Sequence, residues 1–419
     1  NLKMNLDMGS YELFSSTSIA ESKTLQDRDL GAYFGPMLEV DDMPIYLADS
    51  AVAEQFTQEL RLNTRLDGPL QFLVGAFYQD YKRTANQKMT FEGTPELDPF
   101  EGALLFESTF GDNLKQLAFF GEASFDLTDQ LTAVAGVRHY SYDKESPDEN
   151  DGVFNGGYTE GFVENDDSGQ TYKLSLNYRP DETTSFYGTF AQGFRLGGPH
   201  PEIPSDICDT DGVPDQIDSD ELDSFEVGAK FAFADGRATL NVSAFQVDWT
   251  GIPVKQILDC GFETTANAGE AQSKGVEVDG QLLLADAWRI DYGMSYTQAE
   301  LTADSAPLNA QSGDRLPGSP EFSASLGLQA DFSMAGRPMF ARADIAHIGE
   351  YYNNLQQSGS AAGDFTTINL SLGAEINDSV TVDVFARNLT NKEGLTWIET
   401  ELGDGRANYI RPRTIGIEL

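Results

Sequence analysis

Histidine and cysteine, the side chains that most often carry acid–base or metal chemistry, are rare in this chain. The 419 residues contain three histidines, His139, His200 and His347, and two cysteines. No H-E-x-x-H, C-x-x-C or G-x-S-x-G pattern is present. No Ser/His/Asp set shares a recognisable motif either. We therefore expect no catalytic centre and predict that the protein is not an enzyme.

The three histidines have different settings. His139 (GVRHYSYD) and His347 (ADIAHIGEYY) lie in strand-like segments, where an interior or interfacial histidine is expected. His200, in RLGGPHPE, begins a long loop and is the histidine best placed to contact a ligand. The alternative for His200 is an ordinary solvated loop histidine.

An acidic run, CDTDGVPDQIDSDE, is the strongest candidate for metal binding. Calcium takes six to eight oxygen ligands, and a glycine such as Gly212 permits a sharp loop turn. The spacing is not that of an EF-hand, so a solvated acidic loop is the alternative. The candidate calcium ligands are Asp209, Asp211, Asp215, Asp218 and Asp220.

The two cysteines fall in consecutive predicted loops, at 194–221 and 252–269. If these loops lie side by side in an oxidising compartment, Cys208 and Cys260 are expected to form a disulfide. Such a bond typically contributes about 2 to 4 kcal/mol by restricting the loops. Two unpaired thiols are the alternative.

The charge balance excludes one class of partner. Lys and Arg total 27 against 68 Asp and Glu, giving a net charge of −41, so we expect no nucleic-acid binding. Disorder is disfavoured by 27 Phe, 16 Tyr and regular alternation along the chain. The protein should be folded and rich in β-structure.

Polar and apolar residues alternate with a period of two, as residues 288–296 and 322–332 show most clearly. No run approaches the roughly 18 apolar residues of a transmembrane helix, but membrane-spanning strands need only about 10 alternating residues. We predict an all-β, transmembrane antiparallel β-barrel of about 17 strands. Short turns should lie at one end and long acidic loops, among them 84–115 and 145–169, outside the cell. A soluble sandwich or propeller is the alternative fold.

Six segments, in order along the chain, resemble TonB-dependent outer-membrane receptors. They are QFTQELRLNT with DGPLQFLVGAFYQ (55–79), SFYGTFAQGFRLGG (185–198), NAGEAQSKGVEVDG (267–280), LPGSPEFSASLG (316–327), RNLTNKE (387–393) and YIRPRTIGIEL (409–419). The resemblance implies a barrel of about 22 strands closed by an N-terminal plug domain. Neither the plug nor the first strands are recognisable, so residues 1–419 are expected to be the C-terminal barrel portion of a longer receptor.

The resemblance also implies a function. Receptors of this family import a scarce nutrient, by default a ferric siderophore, using energy from the protein TonB acting on the plug. Expected surroundings are the outer membrane of a Gram-negative bacterium, its lipid and lipopolysaccharide, and a monomeric state. A passive porin and a surface ligand-binding or adhesion barrel without transport are the alternatives.

Candidate ligand contacts lie where the predicted strands meet the outer loops. Aromatic and charged faces at this height suit siderophore, haem or sugar ligands, whereas the alternative for the aromatic residues is the interfacial girdle of the barrel. The candidates are Phe194, Arg195, His200, Tyr351, Tyr352 and Trp397.

Overall fold

The computed structural model describes residues 1–31, 43–94, 98, 100–199, 213, 216–257, 263–306, 308–377, 379–398 and 406–419. Within these residues the chain is almost entirely β-structure, and no helix there is long and apolar enough to cross a membrane. A single turn of 3-10 helix spans Val153–Asn155. The strands are β1 Leu2–Asp7, β2 Tyr11–Asp29, β3 Ile45–Thr64, β4 Leu70–Phe91, β5 Phe106–Thr128, β6 Leu131–Asp151, β7 Thr159–Asp181, β8 Thr184–Arg195, β9 Gly198–Pro199, β10 Gln216–Ile217, β11 Asp220–Phe233, β12 Ala238–Ile257, β13 Glu263–Ala285, β14 Trp288–Leu301, β15 Phe322–Met334, β16 Arg337–Ile348, β17 Phe365–Asn377, β18 Val380–Arg387, β19 Leu395–Ile398, β20 Ala407–Tyr409 and β21 Thr414–Glu418.

Seventeen of these strands form one antiparallel sheet, which confirms the predicted fold class and strand number. Each strand of the sheet pairs with the next along the chain, and β8 pairs with β11 and β18 with β21 across two small hairpins. The small hairpins are β9–β10 and β19–β20. In the described residues β1 pairs only with β2, and β21 only with β18.

The two ends of the sheet differ in their connections. Two-residue turns at 129–130, 182–183 and 335–336 lie at one end, which we call the turn end. The opposite end, the loop end, carries longer connections such as 302–321 and 349–364. Short turns on one side and long loops on the other are typical of outer-membrane barrels.

Register places apolar side chains together on one face of the sheet. Phe72, Ala123, Ala135 and Leu174 lie in one row across β4 to β7, and large apolar side chains in neighbouring rows are exposed. We call this exposed face the apolar belt. The opposite face is polar, as Lys173 Nζ shows by donating a hydrogen bond of 2.9 Å to Glu122 Oε2. The sheet is therefore apolar outside and polar towards the lumen, as a lipid-embedded barrel requires.

Strands β2 to β7 are longer than the sequence pattern predicts, at 19 to 23 residues each. Loops were expected at 84–115 and 145–169, but the structure narrows these connections to 92–105 and 152–158. Pairing continues above the apolar belt with charged residues on the outer face, for example Lys115 opposite Asp143. Such segments lack hydrophobic alternation because both faces contact water, so the sequence prediction of loops there was wrong.

A charge on the outer face of the belt should be far more costly than one facing the lumen. Leu174 is 56% exposed at the middle of the belt, and Leu174→Arg is expected to destabilise the protein in lipid bilayers by about 2 to 4 kcal/mol. Ser175→Arg, which points to the polar face, should cost only about 1 kcal/mol. Urea unfolding in phospholipid vesicles measures both, and equal costs would contradict the assignment of the two faces.

Candidate functional site

The loop end of β8, β11 and β12 holds a polar group of three connected side chains. The register pairs Arg195, the last residue of β8, with Asp220, the first residue of β11. Trp249 lies one strand further on, opposite Leu222 of β11. These three side chains meet although they come from three different strands.

Asp220 is the centre of this group. It is 1% exposed, and its Oδ1 accepts the Arg195 backbone N–H at 2.9 Å. Its Oδ2 accepts Arg195 Nε–H at 2.7 Å, a further bond from Arg195 Nη2 and Trp249 Nε1–H at 2.9 Å. Several charge-assisted bonds compensate the burial of the carboxylate, so Asp220 ties β8 and β12 to the start of β11.

Arg195 nevertheless keeps a surface open to the solvent. Its guanidinium lies 4.5 Å from the centroid of the Trp249 ring, a cation–π contact, and its side chain is 56% exposed. One side of the Arg195 guanidinium is thus held by Asp220 and Trp249, while its other side remains accessible to a ligand at the loop end.

The Phe194 side chain, unlike that of Arg195, is engaged in packing against another ring. Its ring stacks on Tyr140 of β6, with centroids 3.7 Å apart and an interplanar angle of 5°. Tyr140 and the neighbouring Tyr142 are both buried beneath it. Phe194 therefore serves first as an anchor between β8 and β6.

A small hydrogen-bond network supports this packing. Ser219 Oγ donates to Asp167 Oδ2 at 3.0 Å and lies 3.2 Å from the Tyr142 hydroxyl. The Gly197 backbone N–H donates to the Tyr142 oxygen at 3.1 Å. The Tyr142 hydroxyl thus accepts from Gly197 and shares a hydrogen bond with Ser219.

The predicted calcium loop is only partly described. Asp209, Asp211 and Asp215 lie outside the described residues. Asp218 is exposed and accepts a bond of 3.2 Å from Gln216 Nε2. Asp220 accepts bonds from Arg195 and Trp249 on its two oxygens, and its role as a calcium ligand stays a prediction. Within the described part of the chain, no three His, Cys, Asp or Glu side chains cluster to hold a metal.

Three more predictions lie outside the described residues, namely His200, Cys208 and Cys260, so their roles stay predictions. His139 and His347 are on strands β6 and β16, and each shares its face with the apolar belt. His347 Nδ1 lies 3.1 Å from Thr366 Oγ1. Neither histidine faces the lumen.

Tyr351, Tyr352 and Trp397 form a second group at the loop end. The Tyr351 hydroxyl donates to the Thr396 carbonyl oxygen at 2.8 Å, which joins the loop 349–364 to β19. The Tyr352 carbonyl accepts the Gly318 N–H at 2.8 Å. Trp397, on β19, is 37% exposed, so it presents more ring surface than a core residue does.

The two groups are linked through an apolar cluster that the sequence did not reveal. Trp249 packs against buried Leu301 and its neighbours, and Leu308 and Leu355 pack on the same cluster. Gln356 Nε2 donates to the Leu308 carbonyl oxygen at 3.0 Å. A rim of contacting loops thus runs from Arg195 to Trp397; we call it the loop-end rim.

Sequence reasoning missed Tyr140, Tyr142 and Trp249. Each lies on the lumen-facing side of its strand, where most residues are polar. The available signal was an aromatic residue on this polar side near the end of a strand. It is weak, because it does not say which distant residue the ring contacts.

Comparison with known proteins identifies the family. A family model described as TonB dependent receptor-like, beta-barrel matches residues 8–389. The chain belongs to the TonB-dependent receptor family. This confirms the resemblance seen in the sequence, and because the family consists of receptors and transporters, it also confirms that the chain is not an enzyme.

Relatives of this receptor barrel are distant in sequence. The pesticin receptor of Yersinia enterocolitica is 25% identical over 372 residues, covering 87% of this chain and 51% of that protein. The metal-pseudopaline receptor CntO of Pseudomonas aeruginosa is 22% identical over 336 residues, covering 77% and 44%. The chain thus spans about half the length of the curated relatives it matches.

Solved structures share the fold of this receptor barrel. The ferric yersiniabactin uptake receptor FyuA from Yersinia pestis has a TM-score of 0.81 at 18% identity, covering 99% of this chain and 59% of that chain. The siderophore receptor PiuA from Acinetobacter baumannii has a TM-score of 0.75 at 18% identity, covering 98% and 62%. Both show that the 17-stranded sheet has the receptor fold.

Removing the buried carboxylate should weaken the loop end. Asp220→Asn keeps the size of the side chain but leaves the Arg195 guanidinium without its counter-ion, and we expect a loss of about 2 kcal/mol. Asp286→Asn is the matched control, because Asp286 pairs with Arg237 at 3.3 Å while 99% exposed; its effect should stay below about 0.5 kcal/mol. Equal shifts in the urea midpoint of the two variants would contradict an anchoring role for Asp220.

The Tyr351 hydroxyl should stabilise the rim in a pH-dependent way. Burial raises the pKa of Tyr351. The contribution of its hydroxyl to the free energy of unfolding is therefore fully present below the ordinary tyrosine range, near pH 10. It is lost as pH rises through the folded-state pKa. Tyr351→Phe should therefore cost about 1 kcal/mol at pH 7, and this difference from the wild type should shrink in alkali. Unfolding free energies at pH 7 and pH 11 test this, and a pH-independent difference would exclude it.

Proposed function

We propose that the complete protein is an outer-membrane receptor for the TonB-dependent uptake of a ferric siderophore. The observation that carries this proposal is membership of the TonB-dependent receptor family over residues 8–389, together with the nature of the relatives. Those relatives are named as receptors for pesticin, for a metal-pseudopaline complex and for siderophores, and one solved neighbour takes up ferric yersiniabactin.

The geometry supports a transporter rather than a reaction centre. The lumen-facing register is polar and holds ion pairs such as Arg342 Nη1 with Asp291 Oδ2 at 2.7 Å. A polar lumen suits passage of a hydrophilic solute. The loop-end rim adds aromatic and cationic surface at the outer entrance, which suits capture of a metal chelate with aromatic or anionic groups.

Within the rim we propose different roles for the predicted residues. Arg195 and Trp397 have accessible surface and would contact the ligand directly. Phe194 and Tyr351 are engaged in packing and hydrogen bonding, so they would position the rim. Tyr352 holds the loop 349–364 against 302–321 through its carbonyl oxygen.

The cellular setting follows from the same proposal. The family is of an outer-membrane type in Gram-negative bacteria, and the exposed apolar belt would contact lipid while lipopolysaccharide surrounds the longer strands above it. TonB would act through a plug domain of the complete protein, and the receptor would work as a monomer. Energy dependence separates this proposal from a passive porin or an adhesion barrel.

Uptake by living cells tests the proposal. Cells producing the complete receptor should accumulate iron from one of a panel of ferric chelates, including ferric yersiniabactin and ferric citrate, and deletion of TonB should abolish accumulation. Accumulation unaffected by TonB loss would replace the proposal with a passive pore. Binding without accumulation in TonB-containing cells would favour an adhesion or ligand-binding barrel.

A rim variant tests the direct contact. Trp397→Ala should raise the half-saturating ligand concentration about tenfold through loss of roughly 1.4 kcal/mol of ring contact. Trp397→Phe should restore most of the affinity. Unchanged affinity in Trp397→Ala would remove this residue from the ligand site without affecting the assignment of transport.

A further inference from the structure

One strand of the sheet loses its partner halfway along its length. β7 pairs with β6 from Thr159 to Tyr178, but with β8 only from Lys173 to Asp181. Above Lys173, β8 continues its pairing with β11 instead, up to Arg195. Among the described residues, the edge of β7 from 159 to 172 therefore has no paired strand on its β8 side.

The separation of β7 from β8 creates a cavity in the outer wall, which we call the β7 slit. Its volume is about 280 Å³. One side is the β7 backbone from Asp167 to Thr171, and the other is β8 from Gln192 to Phe194 with the first residues of β11. The Tyr140–Phe194 stack forms part of its lining, and Gly198 of β9 lies beside the lumen-facing Lys144. The slit is thus backed from the lumen side.

Among the described residues, no strand pairs with the backbone along this edge on its β8 side. The Ser168 N–H donates to the Asp167 side chain at 2.7 Å, a local substitute for a missing strand partner. Edge strands are usually protected by lysine, proline or a bulge. The sequence TEGFVENDDSGQTY at 159–172 contains no lysine, arginine or proline, so its protection rests on carboxylates alone.

Charge determines which partner this edge could accept. The slit lining contains Asp167, Asp218, Glu221 and Asp223 and, within the described residues, no lysine or arginine. The ribbon formed by β6 and β7 above Tyr140 is just as acidic, with a single cation, Lys144. Its carboxylates between 140 and 167 are Asp143, Glu145, Asp148, Glu149, Asp151, Glu160, Glu164, Asp166 and Asp167. The acidic slit would repel an acidic segment and would not attract a neutral one, whereas it attracts a basic segment.

We propose that the β7 slit is a docking site for an extended, basic polypeptide segment that adds to β7 as an extra strand. Main-chain hydrogen bonds to the free edge give the affinity, as in other strand-addition complexes. Alternate lysine or arginine side chains pair with Glu221 and Asp223 across the slit. This inference is independent of nutrient uptake, because the slit lies between β7 and β8 and is backed from the lumen side by Gly198 of β9.

The test uses the complete receptor in lipid nanodiscs and a fluorescent six-residue peptide of alternating lysine and valine. Saturable binding is expected by anisotropy, and no binding is expected for the glutamate–valine counterpart. The same lysine peptide with alternate backbone amides N-methylated should lose binding, because methylation removes the donors of the ladder. Equal binding of the methylated peptide would overturn strand addition and indicate simple ionic adsorption.

Matched variants locate the site. Glu221→Gln combined with Asp223→Asn should weaken lysine-peptide binding about tenfold. Glu54→Gln combined with Asp80→Asn removes the same charge from the outer face of β3 and β4 and should change it less than about twofold. Equal weakening by both pairs would overturn the proposed site. Absence of saturable binding to the wild type would also overturn the proposal and indicate that the receptor itself fills the edge.

Discussion

Continuous backbone pairing between neighbouring strands is the constraint on which the rest of this structure depends. A chain surrounded by lipid has no water to satisfy its N–H and C=O groups, so each spanning strand must pair on both sides. In this sheet each strand pairs with the next in sequence. That register then decides which side chains face lipid and which face the lumen, because side chains alternate along a strand.

At the loop end neighbouring strands need not pair continuously, and side-chain interactions connect them instead. Asp220 is buried at the first residue of β11, and it holds β8 and β12 through Arg195 and Trp249. The same region lets β8 part from β7, so the Tyr140–Phe194 stack replaces backbone bonds as the link between the two sides. Loop 349–364 and β19 are joined by similar single contacts. The rim is therefore a set of anchored loops on a rigid wall, an arrangement often used for binding.

The structure also shows where part of the large negative charge lies. Above the apolar belt, strands β4 to β7 carry charged rows on their outer face, and carboxylates oppose each other directly, as Asp143 and Asp166 do. Like charges across a strand pair are unfavourable, and cations from the medium reduce this cost by screening. The net charge of −41 is thus partly concentrated on a tall wall beyond the lipid, where it influences what can approach the receptor.

By itself, the sequence determined the fold class, the approximate number of strands and the family, because hydrophobic alternation, short turns and six family-like segments are local signals. It also placed Arg195 and Trp397 at the loop end. Only the tertiary structure decided how far β2 to β7 extend, since strands in water need no hydrophobic alternation. Likewise, the partner of Asp220 and the stacking of Phe194 on Tyr140 depend on strands brought together by pairing. Residues 140 and 194 are far apart in sequence and become neighbours only when β7 and β8 separate, and no local pattern records where two strands part.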